Sequence, residues 1–290
     1  MSVRIGVVGS VNLDLVASGA PLPRAGETVT GARFSQHPGG KGANQALAAQ
    51  RLGADVFMVG RTGDDALAEP ALELLRRDGV DVSRVMSEIG QSTGVALISV
   101  APDGENQITV ASGANGMLGE DAAADLPDCH AVLCQLEVPI AAIESAAQRA
   151  KACGALFAVN LAPAIELEAK LLAQIDLVIV NELEAAFYGD SLYADNRLVA
   201  VTLGAKGSAF FKGKQEISRA PSYDVPVLDT TGAGDTFCAA LVLALAEGKQ
   251  PEDALEFASA AAALSVTQQG AQTSLPWRAD VEDLLEDNKT

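Results

Sequence analysis

Asp229-Thr230-Thr231-Gly232-Ala233-Gly234-Asp235 is a glycine-rich turn that runs directly into the apolar segment TFCAALVLALAE at 236–247, which Gly248 ends. The pattern predicts a helix whose free N–H groups and positive dipole end face the turn, an arrangement that suits a phosphate group. The Asp235 carboxylate lies where an anion would bind, and a proton-accepting role explains that placement. Glycines before a helix and an aspartate in its first turn are also common structural features, so the rest of the chain decides between the two interpretations.

The remaining apolar segments indicate an α/β fold. Continuous apolar runs, typical of strands buried on both faces, occur at 5–8, 56–59, 131–134, 156–159, 177–180 and 198–201. Helical patterns lie between several of them, at 43–52, 67–77 and 140–153, and each has a glycine where a helix C-cap needs one. The alternation predicts three layers, with a mostly parallel central sheet between helices.

Two segments interrupt this alternation, at 13–37 and 94–111. They carry proline, glycine and polar residues, and Pro102-Asp103-Gly104 lies between alternating runs as a hairpin turn does. We expect a small antiparallel sheet that acts as a lid and excludes water from a cleft, with ordinary surface hairpins as the alternative. No repeat or linker divides the chain, so residues 1–290 are expected to form one domain.

Composition favours a small-molecule substrate. The net charge of −18 and the pI near 4.4 argue against binding to nucleic acid and to an anionic membrane surface. The cysteines lack a paired framework, and no signal peptide or long apolar span is evident, so a cytoplasmic location is expected. Cys129, His130 and Cys134 could be read as metal ligands, but the apolar run around them favours a buried strand.

Polar residues follow the first predicted strand and lie at the start of the first predicted long helix. Asn12 and Asp14 are two residues apart, so in an extended chain their side chains point the same way, as suits vicinal hydroxyl groups. The turn Pro38-Gly39-Gly40-Lys41-Gly42-Ala43-Asn44 lets the backbone approach a ligand closely, with Lys41 and Asn44 at its mouth. It is not a Walker A loop, because no Ser or Thr follows Lys41.

Further polar groups follow later strands, where doubly wound sheets bind ligands. Glu137 comes after the central strand and is a candidate sugar contact. Asn181 and Glu184 suit a phosphate and a magnesium ion, although the same pair also makes a helix capping box. The turn at 202–207 either passes under a nucleotide or joins two strands of a hairpin.

Together, the turn at 39–46 and the turn at 229–235 resemble the two signatures of the ribokinase-like, or phosphofructokinase-B, carbohydrate kinases. Within that family the chain looks most like the members that phosphorylate ribose. This similarity covers nearly the whole length and includes Gly9-Ser10-Val11-Asn12-Leu13-Asp14, Pro23-Arg24-Ala25-Gly26-Glu27-Thr28, Gly113-Ala114-Asn115 and the tail from Gly270 to Trp277.

The resemblance implies ATP-dependent phosphorylation of the 5-hydroxyl of D-ribose, with Mg²⁺ and an activating K⁺. Asp235 would be the general base, and the amides of Gly232, Ala233, Gly234 and Asp235 would form an anion hole. The sugar would be held by Asn12, Asp14, Gly40, Lys41, Gly42, Asn44 and Glu137. The nucleotide would be lined by Asn181, Thr202, Gly204, Ala205, Lys206, Gly207, Gly234 and Ser259, with Glu184 reaching magnesium through water. The potassium ligands would be Asp229, Thr231, Ser265, Gln268, Gly270 and Ser274.

The chain departs from that family between Asn181 and Thr202, where relatives usually carry an additional helix. One helix at 182–188 and the polar piece at 189–197 are still long enough for a parallel connection. Two other functions remain open: a kinase for another small sugar or a nucleoside, such as deoxyribose or adenosine, and a sugar sensor without catalysis. Lids of this family often pair edge to edge, so a homodimer is expected.

Overall fold

The computed structural model describes residues 2–288. Its strands are β1 (Arg4–Val8), β2 (Asn12–Ser18), β3 (Arg33–Gly39), β4 (Asp55–Gly63), β5 (Asp81–Glu88), β6 (Gly94–Val100), β7 (Asn106–Ala111), β8 (Ala131–Gln135), β9 (Leu156–Asn160), β10 (Leu177–Asn181), β11 (Leu198–Thr202), β12 (Ser208–Lys212) and β13 (Gln215–Ala220). Its helices are α1 (Lys41–Arg51), α2 (Ala68–Arg77), α3 (Ile140–Cys153), α4 (Ala169–Leu172), α5 (Glu182–Tyr188), α6 (Ala233–Ala246), α7 (Pro251–Ser265) and α8 (Arg278–Asp287).

A nine-stranded sheet forms the middle layer, in the order β13-β12-β11-β10-β9-β8-β1-β4-β5. All pairs from β11 to β5 are parallel, and only the β11–β12 and β12–β13 pairs at one edge are antiparallel. From β1 the chain first adds β4 and β5 on one side, and later β8 to β11 on the other. The carboxyl ends of β1 and β8 therefore flank a topological switch point, where open α/β sheets bind ligands.

Helices cover both faces of this sheet, as expected for three layers. Val7 contributes to the core beneath α1, α6 and α7, whereas the adjacent Val8 contributes to the core beneath α3. Because successive strand residues face opposite layers, a strand buried on both faces needs a continuous apolar run. The six runs identified in the sequence are all strands, which confirms the prediction.

Helix α6 is buried over most of its length. Its residues 235–244 are all buried, and it packs against α1 and α7. A helix that is apolar on every side belongs inside a layer, which explains why the run at 236–247 shows no polar face. The packing places the first turn of α6 beside the start of α1, where Asn44 and Gln45 donate to Asp235.

The two segments that interrupt the alternation form a four-stranded sheet, in the order β3-β2-β6-β7. The β2–β3 and β6–β7 pairs are antiparallel, and residues 101–105 make the expected hairpin turn, with Gly104 at φ 91°. The central β2–β6 pair is parallel. Two hairpins from distant parts of the chain thus join side by side, and local sequence does not specify the direction of that join.

The shortened connection between Asn181 and Thr202 closes without an additional helix. Helix α5 and a 3-10 segment at Gly189–Asn196 carry the chain back, and β10 pairs with β11 in parallel from Leu177–Leu198 onward. Leu192 is fully buried and packs into the core beneath α3, so the polar piece still supplies one apolar contact to the flank. Within residues 2–288, no helix combines the length and hydrophobicity needed to cross a bilayer.

Candidate active site

The first cluster of polar side chains lies at the start of β2, where the chain passes from β1 of the main sheet into the four-stranded sheet. Asn12 is buried, and its Oδ1 accepts a hydrogen bond of 2.7 Å from Nδ2 of Asn115. Asn115 also bonds the backbone of Val11 through both of its amide atoms, at 2.9 and 3.2 Å. Asn115 therefore fixes the orientation of the Asn12 side chain and leaves Nδ2 of Asn12 available to a ligand.

Glu137, which follows β8, is tied to the glycine-rich turn before α1. Its Oε2 accepts hydrogen bonds from the Ser10 hydroxyl at 2.5 Å and from the Lys41 amide at 3.1 Å. The turn approaches this closely because a Cβ on Gly42 would lie 2.5 Å from the Ser10 nitrogen, and because Gly40 has φ 88°. These two glycines bring Glu137 and α1 to the same point.

Asp14 shares this site with two other carboxylates. Burial, together with the negative charges of Glu137 and Asp235, raises the pKa of Asp14 to about 7. The carboxyl group is thus partly protonated at neutral pH, and it can either donate or accept a hydrogen bond. Such a group suits a ligand that offers hydroxyl groups.

Asp235 lies in the first turn of α6 and is 7% exposed. Each of its carboxylate oxygens accepts one hydrogen bond of 2.9 Å from an amide of α1: Oδ2 from Asn44 and Oδ1 from Gln45. Asp235 in turn raises the pKa of Lys41, because an opposite charge lies close to the ammonium group. A carboxylate, a cation and two amides therefore meet between the starts of α1 and α6.

The turn before α6 supplies backbone donors. Gly232 has φ 82°, and a Cβ there would lie 3.0 Å from the Ala271 oxygen. The amide of Thr236 bonds the Gly232 carbonyl, and that of Ala233 bonds the Thr230 carbonyl at 3.3 Å. The amides of Gly234 and Asp235 belong to the first turn, where no earlier helical carbonyl can accept from them.

One cleft joins these groups to the ends of β9, β10 and β11. It is lined by Lys41, Asn160, Ala162, Ile179, Val180, Asn181, Glu184, Thr202, Thr230, Gly232, Gly234, Asp235 and Cys238. Side chains that the sequence placed on the sugar, on the phosphates and on magnesium thus border the same space. The carboxyl ends of parallel strands produce this convergence.

Asn181 and Glu184 form the capping box that the sequence offered as the structural interpretation. Asn181 Oδ1 accepts from the Glu184 amide, and Glu184 Oε2 accepts from the Asn181 amide, both at 2.8 Å. Both residues also line the cleft, and burial raises the pKa of Glu184. Capping and exposure to a ligand are therefore compatible here.

The other residues expected at the nucleotide lie farther out. Thr202 borders the cleft, whereas the turn at 204–207 joins β11 to β12, as the hairpin alternative predicted. The Lys206 ammonium pairs with Glu182, and the Ala205 carbonyl accepts from Ser222 at 2.7 Å. The hydroxyl of Ser259 lies 2.8 Å from that of Ser208.

The residues expected at potassium are not among the described residues that line the cleft. Asp229 accepts bonds from the Thr231 amide and hydroxyl, at 2.9 and 2.6 Å, and from the Gly270 amide at 2.9 Å. Burial opposes ionisation, yet these bonds hold the pKa of Asp229 below its usual value. The hydroxyls of Ser265 and Ser274 donate to the carbonyls of Ala262 and Ala271, and Gln268 is exposed.

Three polar residues of the site were not predicted from the sequence. Gln45, Gln135 and Asn160 form a buried group of amides beneath Asp235. Gln135 and Asn160 end the apolar strands β8 and β9, and this polar residue at the end of each run was the available signal. Within residues 2–288, no cluster of three or more His, Cys, Asp or Glu side chains is arranged to hold a metal ion.

The chain is similar to known carbohydrate kinases. The model of the pfkB family of carbohydrate kinases matches residues 4–278. A ribokinase of Haemophilus influenzae is 39% identical over 300 residues, which cover 97% of each chain. A deoxyribokinase of Salmonella typhi is 33% identical over 292 residues, covering 94% of this chain and 95% of the other. The structure of Arabidopsis thaliana ribokinase complexed with ribose and ATP has a TM-score of 0.89 and 34% identity, and it covers 99% of both chains.

Proposed function

The chain belongs to the pfkB family of carbohydrate kinases, and from that premise we propose that it transfers the γ-phosphoryl group of ATP to the 5-hydroxyl of D-ribose. The products would be ribose 5-phosphate and ADP. The substrate assignment is supported by the similar ribokinase and by the solved ribokinase with ribose and ATP. The observation that carries the proposal is the position of Asp235, a buried carboxylate at the start of a helix and on the border of the cleft.

Asp235 would act as the general base. Its two oxygens each accept one amide hydrogen bond, which leaves a lone pair for the hydroxyl of the substrate. As the hydroxyl oxygen bonds to the γ-phosphorus, its proton would pass to Asp235, and the bond from the γ-phosphorus to the bridging oxygen would break to release ADP. Phosphoryl transfer of this kind depends mainly on positioning and on stabilising charge.

The turn at 232–235 would stabilise the transferring group. The amides of Gly234 and Asp235 lie in the first turn of α6 and have no backbone acceptor among residues 2–288, and the helix dipole adds positive potential there. Lys41 borders the same cleft and adds a full positive charge. These groups offset the negative charge of Asp235, which would otherwise repel an incoming phosphate.

The sugar would lie on the side of the cleft nearest β2. Asn12, Asp14 and Glu137 present an amide and two carboxyl groups there, and Oδ1 of Asn44 is a buried acceptor without a hydrogen-bond partner among the described residues. Hydroxyl groups can pair with every one of these atoms. The four-stranded sheet, which carries Asn12 and Asp14 on β2, would serve as the lid over the sugar.

Two metal ions fit the available donors. Glu184 is a single carboxylate on the nucleotide side, which suits Mg²⁺ because that ion binds few protein carboxylates together with substrate phosphates. K⁺ would be bound by oxygen atoms of Asp229, Thr231, Ser265, Gln268, Gly270 and Ser274. When bound, magnesium would neutralise charge on the phosphates, and potassium would fix the position of the turn.

Phosphorylation of deoxyribose is the second candidate, because the similar deoxyribokinase shares nearly the full length of this chain. The two sugars differ by one hydroxyl group, so a small change in hydrogen bonding separates them. A substrate panel with ribose, deoxyribose and adenosine, followed by ADP formation, distinguishes the two activities. Preference for a nucleoside over free ribose would contradict the proposal.

Asp235→Ala tests the mechanism. We expect the affinity for ribose to stay within about threefold and turnover to fall by about 10²- to 10⁴-fold, the usual contribution of a general base. The exposed Asp121 offers a matched control, since Asp121→Ala changes the same residue type away from the cleft. Near-normal turnover of Asp235→Ala would remove it as the base.

The lid also provides a surface for a homodimer, which we propose as the assembly. Apolar side chains stand exposed on it, with Phe34 67%, Leu97 52% and Ile108 57% accessible. Its outer strands, β3 and β7, have unpaired edges that a second copy could cover. Light scattering at micromolar concentration tests this, and a monomeric mass would overturn it.

A further inference from the structure

A chain of buried amides runs from the main sheet to Asp235. Asn160 Nδ2 donates to the Ile179 carbonyl at 3.1 Å, and Asn160 Oδ1 accepts from Gln45 Nε2 at 3.3 Å. The same Gln45 nitrogen donates to Asp235 Oδ1 at 2.9 Å, while Gln45 Oε1 accepts from Gln135 Nε2 at 2.6 Å. Gln45 and Gln135 are fully buried.

The main-chain carbonyl of Ile179 sets the orientation of every amide in this chain. A carbonyl only accepts, so Asn160 must turn its nitrogen toward it and its oxygen toward Gln45. Gln45 must then present its nitrogen to both Asn160 and Asp235, because each offers it an acceptor. Its oxygen faces Gln135, and a flipped Gln45 would place an oxygen against a carboxylate.

The arrangement has a cost in stability. Gln135 Oε1 has no hydrogen-bond partner among the described residues, although the atom is buried. It also lies against the backbone, since a Cβ on Gly9 would be 2.0 Å from it. Apolar side chains of similar size would fill this space without an unpaired oxygen, so packing alone does not account for the two glutamines.

We propose that Gln45 is a positioning residue for phosphoryl transfer: it holds the Asp235 carboxylate at the angle from which the other lone pair meets the substrate hydroxyl. This rests on the proposed function of Asp235 as the base. Gln45 suits the role because its amide is neutral and therefore orients the carboxylate without cancelling its charge. Asn44 holds the second oxygen, but its Oδ1 has no hydrogen-bond partner among the described residues to fix the amide.

Gln45→Met tests the proposal, because methionine keeps the length and removes all three side-chain hydrogen bonds of Gln45, including the one to Asp235. We expect kcat to fall by about 10- to 100-fold, as for a misplaced catalytic group, with the KM for ribose within about threefold. Gln50→Met is a matched control on the same helix: the Gln50 side chain accepts from the Val56 amide, and Gln50 is not among the described residues that line the cleft. Its kcat should stay within about twofold of the parent value.

A double-mutant cycle separates positioning from general damage. If Gln45 acts through the Asp235 carboxylate, Gln45→Met should cause no further loss in an Asp235→Ala background. An equal loss of kcat in both backgrounds would overturn the proposal. A crystal structure of Gln45→Met gives a readout independent of activity, and it should show the Asp235 carboxylate rotated on an unchanged α6 backbone.

The two proposals fail in different ways. Absence of sugar-dependent ADP formation by the unmodified enzyme would refute the proposed function, and the crystal structure would still decide whether Gln45 orients Asp235. If the enzyme is active and the carboxylate of the Gln45→Met variant keeps its orientation, Gln45 does not position the base.

Discussion

Replacing Gly234 with alanine should raise the stability of the protein while it abolishes most of its activity. Gly234 is the second residue of α6 and lines the cleft, and a Cβ built on it meets no atom within 4 Å. The added methyl group therefore enters open space without strain in the protein. If the γ-phosphate binds against this turn, that space is where it must lie.

The expected magnitudes have opposite signs. Alanine in place of a helical glycine stabilises by up to about 1 kcal/mol, since glycine loses more backbone entropy on folding. A methyl group between the phosphate and the amides of Gly234 and Asp235 lengthens their hydrogen bonds, and loss of one such donor costs about 10²- to 10³-fold in kcat. Gly232→Ala is the contrasting variant: φ 82° and a 3.0 Å approach to the Ala271 oxygen should make it destabilising.

Urea unfolding followed by circular dichroism measures the first effect, and ADP release with saturating ATP and ribose measures the second. A Gly234→Ala variant that turns over within twofold of the parent would refute a phosphate site against this turn. A variant that is clearly less stable than the parent would instead show that the space beside Gly234 is filled in the folded protein.

Three further outcomes are expected. The pKa of Asp14 is raised to about 7 in the folded protein, so between about pH 4 and pH 7 the unfolded state releases a proton that the folded state keeps, and the folded state loses stability as pH rises. Asp14→Asn should therefore unfold like the parent near pH 4 and be more stable than the parent by on the order of 2 kcal/mol at pH 8. Urea titrations at both pH values measure this difference. Arg51 pairs with Asp78 at 2.8 Å and donates to two carbonyls of the segment 272–275, so Arg51→Met should destabilise by about 3–5 kcal/mol in urea, and a loss below 1 kcal/mol would contradict a structural role. ADP release with potassium should exceed that without it, and Asp229→Ala should remove the difference; a variant still stimulated as strongly as the parent would place the cation elsewhere.

The sequence predicted the central strands well because each is encoded locally. A run such as 131–134 is apolar at every position, and in so short a segment that pattern is typical of a strand covered on both faces. The edge strands β5 and β13 were not predicted, since exposed residues interrupt any apolar run in them. The parallel pairing of β2 with β6 was not predicted either, because strand pairing depends on contacts between distant segments.

The candidate site divides in the same way. Asp235 and its glycines were recognised as a unit because the turn and the helix that follow one another in the chain also lie together in space. Gln45 was missed because nothing near it in the sequence indicates a role, and its partner Asp235 is 190 residues away. Asn160 and Gln135 reach the same point only after β8 and β9 pair in the sheet.

By itself, therefore, the sequence determined the layers, the strands that are buried on both faces and the turn that offers amides to an anion. Those properties follow from hydrophobic periodicity and backbone freedom, which act over a few residues. The tertiary structure decided which polar groups meet at Asp235 and how each is oriented. Hydrogen bonds between buried amides depend on distances that only the packing of α1 and α6 against the sheet establishes.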